Sequence, residues 1–199
     1  MEQNHDWEQA VKHFCRRLYG DSAFRAALEP FVERLAPAGE RAALAQLALK
    51  LTVPGVPDLY QGDELPFRAL VDPDNRRPID WGWHQAMLRR LLGGSPPTAE
   101  TRKLFVTMRL LGLRVRRPEL FASGSYEPLD AGEHGCAFLR GGELLVVSSM
   151  RERAEGELHG APTGRWRDLF RGEERSFSER EGLGRLVGGG GVGVFERVG

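Results

Sequence analysis

Near residue 120 the hydrophobic pattern of this 199-residue chain changes its period, and that change limits the fold more than any other feature. Upstream, apolar residues recur at helical spacing. Trp7, Val11, Phe14 and Leu18 fall at i, i+4, i+7 and i+11, on one face of a helix. Phe24, Ala27, Leu28, Phe31, Val32 and Leu35 mark a second helix, with Asp21 or Ser22 as its N-cap. Pro30 inside that pattern predicts a kink or a split. Ala43, Leu44, Leu47, Ala48 and Leu51 predict a third helix stopped by Pro54-Gly55, and Leu104, Phe105, Met108, Leu111 and Val115 a long one ending before Pro118. Downstream the pattern breaks into short β-like runs separated by glycine: Ser125–Leu129, Cys136–Leu139, Leu144–Met150, Arg165–Phe170 and Val192–Val198. The last follows Gly188–Gly191, read as a turn or loop. Strands of this kind predict a small antiparallel β-sandwich.

Composition removes several classes of function. Lys+Arg and Asp+Glu both number 28, so the chain lacks the basic excess by which nucleic-acid binders neutralise phosphate. No apolar run approaches the roughly 20 residues that span a bilayer, and the N-terminus has no signal-peptide core. Two distant cysteines, Cys15 and Cys136, make no disulfide framework and fit a reducing, cytoplasmic setting. The histidines show no Cys/His spacing that suggests zinc, and Gly188–Gly191 lacks the Lys-Ser/Thr of a phosphate loop. Neither a metal nor a cofactor is expected.

The most informative stretch is LKLTVPGVPDLYQGDELPFRALVDPDNRRPIDW, from Leu49 to Trp81. A helix ends at Thr52, a short apolar strand is expected over Val56–Tyr60, and a polar loop of about twenty residues follows. Long loops inside compact domains are usually functional. Helix, strand, long loop, helix is one unit of a (β/α)8 barrel, in which active-site groups sit on the loops after the strands.

PGVPDLYQGDEL resembles the last barrel strand of the α-amylase superfamily of glycoside hydrolases. Pro57-Asp58-Leu59-Tyr60-Gln61-Gly62, followed by Leu70-Val71-Asp72-Pro73-Asp74-Asn75-Arg76-Arg77-Pro78, is similar to maltooligosyltrehalose synthase in particular. The likeness continues through Arg116-Arg117-Pro118-Glu119-Leu120-Phe121, Gly164-Arg165-Trp166-Arg167-Asp168 and Val194-Phe195-Glu196-Arg197. It departs at Asp63-Glu64-Leu65-Pro66-Phe67-Arg68, where the family has Glu-Leu-Trp after a neutral residue.

The resemblance implies an α+β fold: residues 1–118 as the C-terminal portion of an α-amylase-type barrel with inserted helices, and residues 119–199 as a β-sandwich. It implies chemistry on maltooligosaccharides, in which the reducing-end α-1,4 bond is cleaved and the glucose rejoined by an α,α-1,1 bond. That is retaining chemistry with one carboxylate as nucleophile and another as acid/base. The family's catalytic carboxylates lie on earlier strands, so no catalytic residue is assigned here, and an N-terminal synthase polypeptide is the implied partner. A catalytically inactive glucan-binding module and a structural remnant are the competing readings. Asn4-His5-Asp6 copies a motif that carries a catalytic carboxylate in many α-amylases, but no strand precedes it; an N-cap role for Asp6 is the expectation.

Candidate sugar contacts are Tyr60, Gln61, Asp63, Glu64, Asp72, Asp74, Asn75, Arg76 and Arg77. Tyr60 and Gln61 end the expected strand, where side chains face a cleft. Asp63 and Glu64 are too close in sequence to flank a bond as an acid/nucleophile pair about 5 Å apart, so hydrogen bonding to hydroxyls or to a neighbouring loop is expected. Asp72, Asp74, Arg76 and Arg77 suit a bidentate lattice that holds the loop rigid, for substrate or for structure alone. Trp81 and Trp83 offer flat apolar faces to a sugar, though capping the core of the next helix is the preferred expectation.

Overall fold

The computed structural model describes residues 4–69, 76–149 and 155–198. The chain divides into two compact units, Met1–Glu40 and Arg41–Gly199.

In the first unit, helix α1 spans His5–Gly20, and helix α2 begins at Ser22. Asn4, not Asp6, caps α1: its side-chain oxygen accepts from the Trp7 amide at 3.0 Å. His5 and Asp6 lie in the first helical turn, where a carboxylate complements the exposed amides. Asp21 caps α2, accepting from the amides of Ala23 at 2.8 Å and Phe24 at 3.1 Å.

Helix α2 runs without interruption from Ser22 to Thr52, so the second and third helices expected from sequence are one. Pro30 and Pro37 lie inside it. A proline removes only its own amide donor and crowds one carbonyl, a cost of about 3 kcal/mol, and a 31-residue helix with a buried C-terminal stripe absorbs it. Within the second unit that stripe is Leu44, Ala45, Leu47, Ala48 and Leu51.

Helix α3 (Trp81–Leu92) and helix α4 (Arg102–Arg116) follow, and a short helix α5 (Pro118–Ala122) starts on the proline that ends α4. Eight strands come next: β1 Tyr126–Leu129, β2 Cys136–Arg140, β3 Leu144–Ser148, β4 Glu157–His159, β5 Gly164–Asp168, β6 Glu174–Phe177, β7 Arg180–Gly182 and β8 Val192–Arg197. A five-residue helix α6, Leu183–Val187, precedes a 3-10 turn at Gly188–Gly190. Six strands form one antiparallel sheet in the order β1-β2-β3-β8-β5-β6, and β4 pairs with β7 as a separate ribbon.

The sheet is buried on both faces. Phe138, Leu144, Val146 and Val194 point into a core shared with Leu47 and Leu51 of α2 and Val106, Leu110 and Leu113 of α4. Their neighbours Leu139, Leu145, Val147 and Phe195 point the other way, into a core closed by Leu158, Trp166, Phe177 and the α6 residues Leu183 and Leu186. The strict alternation is the period-2 geometry of a strand with a core on each side. Helices and sheet therefore share one hydrophobic interior across residue 118.

One expected element is missing. Residues 56–60 form no strand, and Val56 is 96% exposed. A barrel strand exists only through pairing on its flanks, and every described strand lies beyond residue 125 and pairs within the two sheets above.

Candidate functional site

The loop after α2 is held by its root. Two arginines fix the point where the helix ends. Arg114 of α4 donates to the carbonyls of Leu51 and Gly55, both at 3.0 Å. Arg140 of β2 is only 1% exposed and donates to the carbonyls of Thr52, Leu120 and Phe121 at 3.4, 3.0 and 3.3 Å. Both guanidinium groups lie over the Phe121 ring, at 4.5 and 6.0 Å from its centre. Burial pushes both below the ordinary guanidinium range, and for Arg140 the nearby Arg114 charge adds to this. The cations supply donors to carbonyls at and just past the helix ends, where the regular amide ladder stops.

From that anchor the chain reaches a turn. The Asp63 amide donates to the Tyr60 carbonyl at 3.0 Å, and Gly62 stands at the third position with φ +85°. A left-handed third residue is the type II pattern, which favours glycine. Space reinforces the choice, since a Cβ on Gly62 would lie 2.5 Å from Cδ1 of Ile79. The two ends of the 60–80 loop thus meet at Gly62 and Ile79.

Asp63 is drawn inward. One oxygen lies 2.5 Å from Nζ of Lys103 in the first turn of α4, and the other 3.6 Å from Nζ of Lys50 in the last turn of α2. Leu65 is buried with Met87, Leu91 and Leu104, which fastens the same stretch to α3 and α4. Glu64 faces His84: Oε2 and Nε2 are 3.9 Å apart, and both atoms are shut off from solvent without a hydrogen-bond partner. The other ring nitrogen, Nδ1, lies 2.9 Å from the Asp80 carbonyl. A carbonyl only accepts, so Nδ1 donates to it, and Nε2 is the ring atom directed at the Glu64 carboxylate.

Tyr60 and Gln61 sit at the turn with exposed side chains, and Arg76 and Arg77 are exposed on the returning arm. Asp72, Asp74 and Asn75 lie outside the described residues, and with them the expected Arg–carboxylate lattice. Trp81 and Trp83 are 48% and 49% exposed rather than capping the core. The buried stripe of α3 begins one turn later, at Met87 and Leu91, so its first turn overhangs. Asp80 caps that helix, accepting from the Trp83 amide at 2.9 Å. Around the loop base Glu64 faces His84, whose ring centre lies 5.7 Å from that of Trp81, while Asp63 closes the turn onto Tyr60.

Sequence reasoning missed Lys50, Lys103, His84, Arg114 and Arg140 as partners of this loop. Asp80 followed by Trp-Gly-Trp was a legible N-cap signal that would have fixed where α3 starts. Nothing local in the sequence marks Lys103, forty residues from Asp63. Among the described residues no group of three or more His, Cys, Asp and Glu is placed to hold a metal ion, and no helix is long and apolar enough to cross a membrane.

Comparison with known proteins gives this arrangement a lineage. The chain is 38% identical over 162 residues to maltooligosyl trehalose synthase of Mycobacterium tuberculosis, in two strains, a stretch that is 76% of this chain. Over that stretch the chain is a homologue of part of the maltooligosyltrehalose synthases. It spans about a fifth of the length of the curated relatives it matches. The solved Arthrobacter ramosus maltooligosyltrehalose synthase is 27% identical and superposes over 100% of the chain with a TM-score of 0.84, covering 27% of that enzyme. The DSM5389 glycosyltrehalose synthase superposes over 99% of the chain at 28% identity and a TM-score of 0.84, again with 26% of that protein covered. No family model matches the chain. The mixed helical and antiparallel architecture is thus that of a segment of these α-amylase-type synthases.

Proposed function

We propose that the chain supplies the C-terminal part of a maltooligosyltrehalose synthase and acts on maltooligosaccharide ends only together with the polypeptide that carries the earlier barrel strands. The observation that carries this reading is the match itself: close similarity to the synthases confined to a fifth of their length. The reaction implied is conversion of the reducing-end α-1,4 linkage to α,α-1,1, with the nucleophile and the acid/base supplied by the partner polypeptide.

In this reading Tyr60, Gln61, Asp63, Glu64, Asp72, Asp74, Asn75, Arg76 and Arg77 form the sugar-facing loop. Support comes from its root, which is pinned from α2, α3 and α4 by Asp63, Leu65 and the two arginines. A site needs a rigid support of this kind. Glu64 Oε2 and His84 Nε2 add two shielded polar atoms at the loop base, suited to hydrogen bonding with a sugar hydroxyl. The domain division at residues 118/119 is kept in evolutionary terms, supported by Pro118 at the α4–α5 junction, although the two parts share a core. A cytoplasmic setting is part of the proposal, supported by two free cysteines.

The test is incubation of the purified chain with maltopentaose, alone and with the upstream synthase polypeptide, followed by assay of reducing ends. The expected result is no loss of reducing ends by the chain alone and clear loss by the pair. Loss by the chain alone, abolished by Asp6→Ala, would restore the Asn-His-Asp motif as catalytic and overturn the proposal.

A further inference from the structure

The unit Met1–Glu40 presents an apolar surface that nothing within the unit explains. Among its described residues none is buried. Trp7, Phe14 and Val11 are 65%, 61% and 38% exposed along one face of α1. On α2, Leu28, Phe31 and Leu35 are 39%, 48% and 49% exposed at i, i+3 and i+7. Scattered exposed apolar residues are ordinary, but stripes at helical spacing on two successive helices are the mark of a covered face. A 16-residue helix with no buried side chain is also marginal in water on its own.

We infer that the apolar stripes of these two helices are docking surface for the polypeptide that carries the remainder of the synthase. The inference rests on the reading of the chain as one part of that enzyme. The solved synthases favour this occupant over a second copy. Their likeness extends over 99–100% of the chain, the two-helix unit included, yet takes in only 26–27% of their length. In those proteins the matched stretch, this unit included, belongs to a chain with nearly three times as much further polypeptide. The apolar stripe is the chemistry for such a neighbour, which buries it against another protein core rather than against sugar or phosphate. The polar side of α1 carries Glu8, Lys12, Arg16 and Arg17 and stays in water.

The experiment co-expresses the full chain, carrying an affinity handle, with the part of the Mycobacterium tuberculosis synthase upstream of the matched stretch. It compares the native chain with Phe14→Glu/Phe31→Glu and with Lys12→Glu on the opposite side of α1. Co-purification and loss of reducing ends from maltopentaose are read together. Both substituted phenylalanines are exposed, so helix content of the chain alone should not fall; Phe14→Ala/Phe31→Ala serves if it does. The expected result is capture by the native chain and by Lys12→Glu, with at least about ten-fold weaker capture by the double glutamate variant. Equal capture by that variant overturns the docking face and leaves the functional reading intact. No capture and no activity with the native chain overturns both. A dimer of the chain alone, dissolved by Phe14→Glu/Phe31→Glu, makes a second copy the occupant and overturns the inference. Amide exchange gives an independent check on the chain alone. Residues 5–40 should exchange quickly without the partner and slow on binding, and strong protection in the monomer counts against the proposal.

Discussion

The carboxylate of Asp63 lies 2.5 Å from the ammonium nitrogen of Lys103, across forty residues of chain. Lys103 is 17% exposed and Asp63 35%, so the pair is partly withdrawn from water; the second lysine, Lys50, is 39% exposed and stands off at 3.6 Å. Lys103→Met should cost about 1 kcal/mol of unfolding free energy, and Lys50→Met only a few tenths. Urea denaturation of the two variants and of Asp63→Asn, arranged as a double-mutant cycle, measures the difference. Equal costs at both lysines would mean that the loop root is not held as described.

Arg140 stands in the interior without a carboxylate, supported by three main-chain carbonyls. Arg140→Met keeps much of the volume but removes the guanidinium donor from all three carbonyls, while the Leu120 carbonyl keeps its bond from the Gly124 amide. A loss of about 3 kcal/mol is expected. Arg140→Lys should recover only part of it, because an ammonium cannot spread its donors over three carbonyls in a plane. Full recovery in the lysine variant, read from the same denaturation curves, would refute the planar-fork account.

Gly62→Ala combines a left-handed backbone with a close approach to Ile79. The expected cost is about 1–3 kcal/mol. Adding Ile79→Ala should relieve the steric share while leaving the backbone share. If the double variant is no better than the sum of the two single changes, the approach to Ile79 does not limit the turn.

The cysteines should separate by rate. Cys15 is exposed, whereas Cys136 is partly buried and burial pushes its thiol above the ordinary range. Thiolate is the reactive form. Labelling with an aromatic disulfide at pH 8 is expected to show one fast and one slow thiol. The slow phase should keep accelerating as the pH is raised past the ordinary thiol range. Two equal rates would place Cys136 in water.

Leu110 and Leu113 are fully buried between α4 and the sheet. Leu110→Ala should cost about 2–5 kcal/mol. It should also lower the stability of helix and sheet signals together, since residues on both sides of 118 line the same core. Separate transitions for near-ultraviolet and far-ultraviolet signals would show that the sheet folds without the helices.

Much of this architecture was legible, and the failures have physical causes. Strands β2, β3, β5 and β8 coincide with the apolar runs read from sequence, because each buries at least two residues and so leaves a pattern; β1 coincides as well, although none of its residues is fully buried. Strands β4, β6 and β7 were not found: each buries a single side chain, Leu158, Phe177 and Glu181 respectively, and one residue carries no period. The expected strand at 56–60 failed for the opposite reason, since its apolar pattern depends on neighbours that no described residue supplies. The loop itself was legible as the place of interest from its prolines and charges. Its fastening was not, because Asp63–Lys103, Arg114–Leu51 and Arg140–Thr52 join residues that are distant in sequence.

Strand β8, residues 192–197, lies in the middle of the six-stranded sheet, with β3 on one side and β5 on the other. During synthesis the ribosome delivers it after every other described strand of the sheet. Until residue 197 clears the exit tunnel, the β1-β2-β3 meander and the β5-β6 hairpin have no common neighbour, and the apolar side chains of β3 wait uncovered. The sheet therefore closes only once this last of its strands is available. Loss of residues 192–197 would remove the strand that joins the two halves of the sheet rather than a frayed edge.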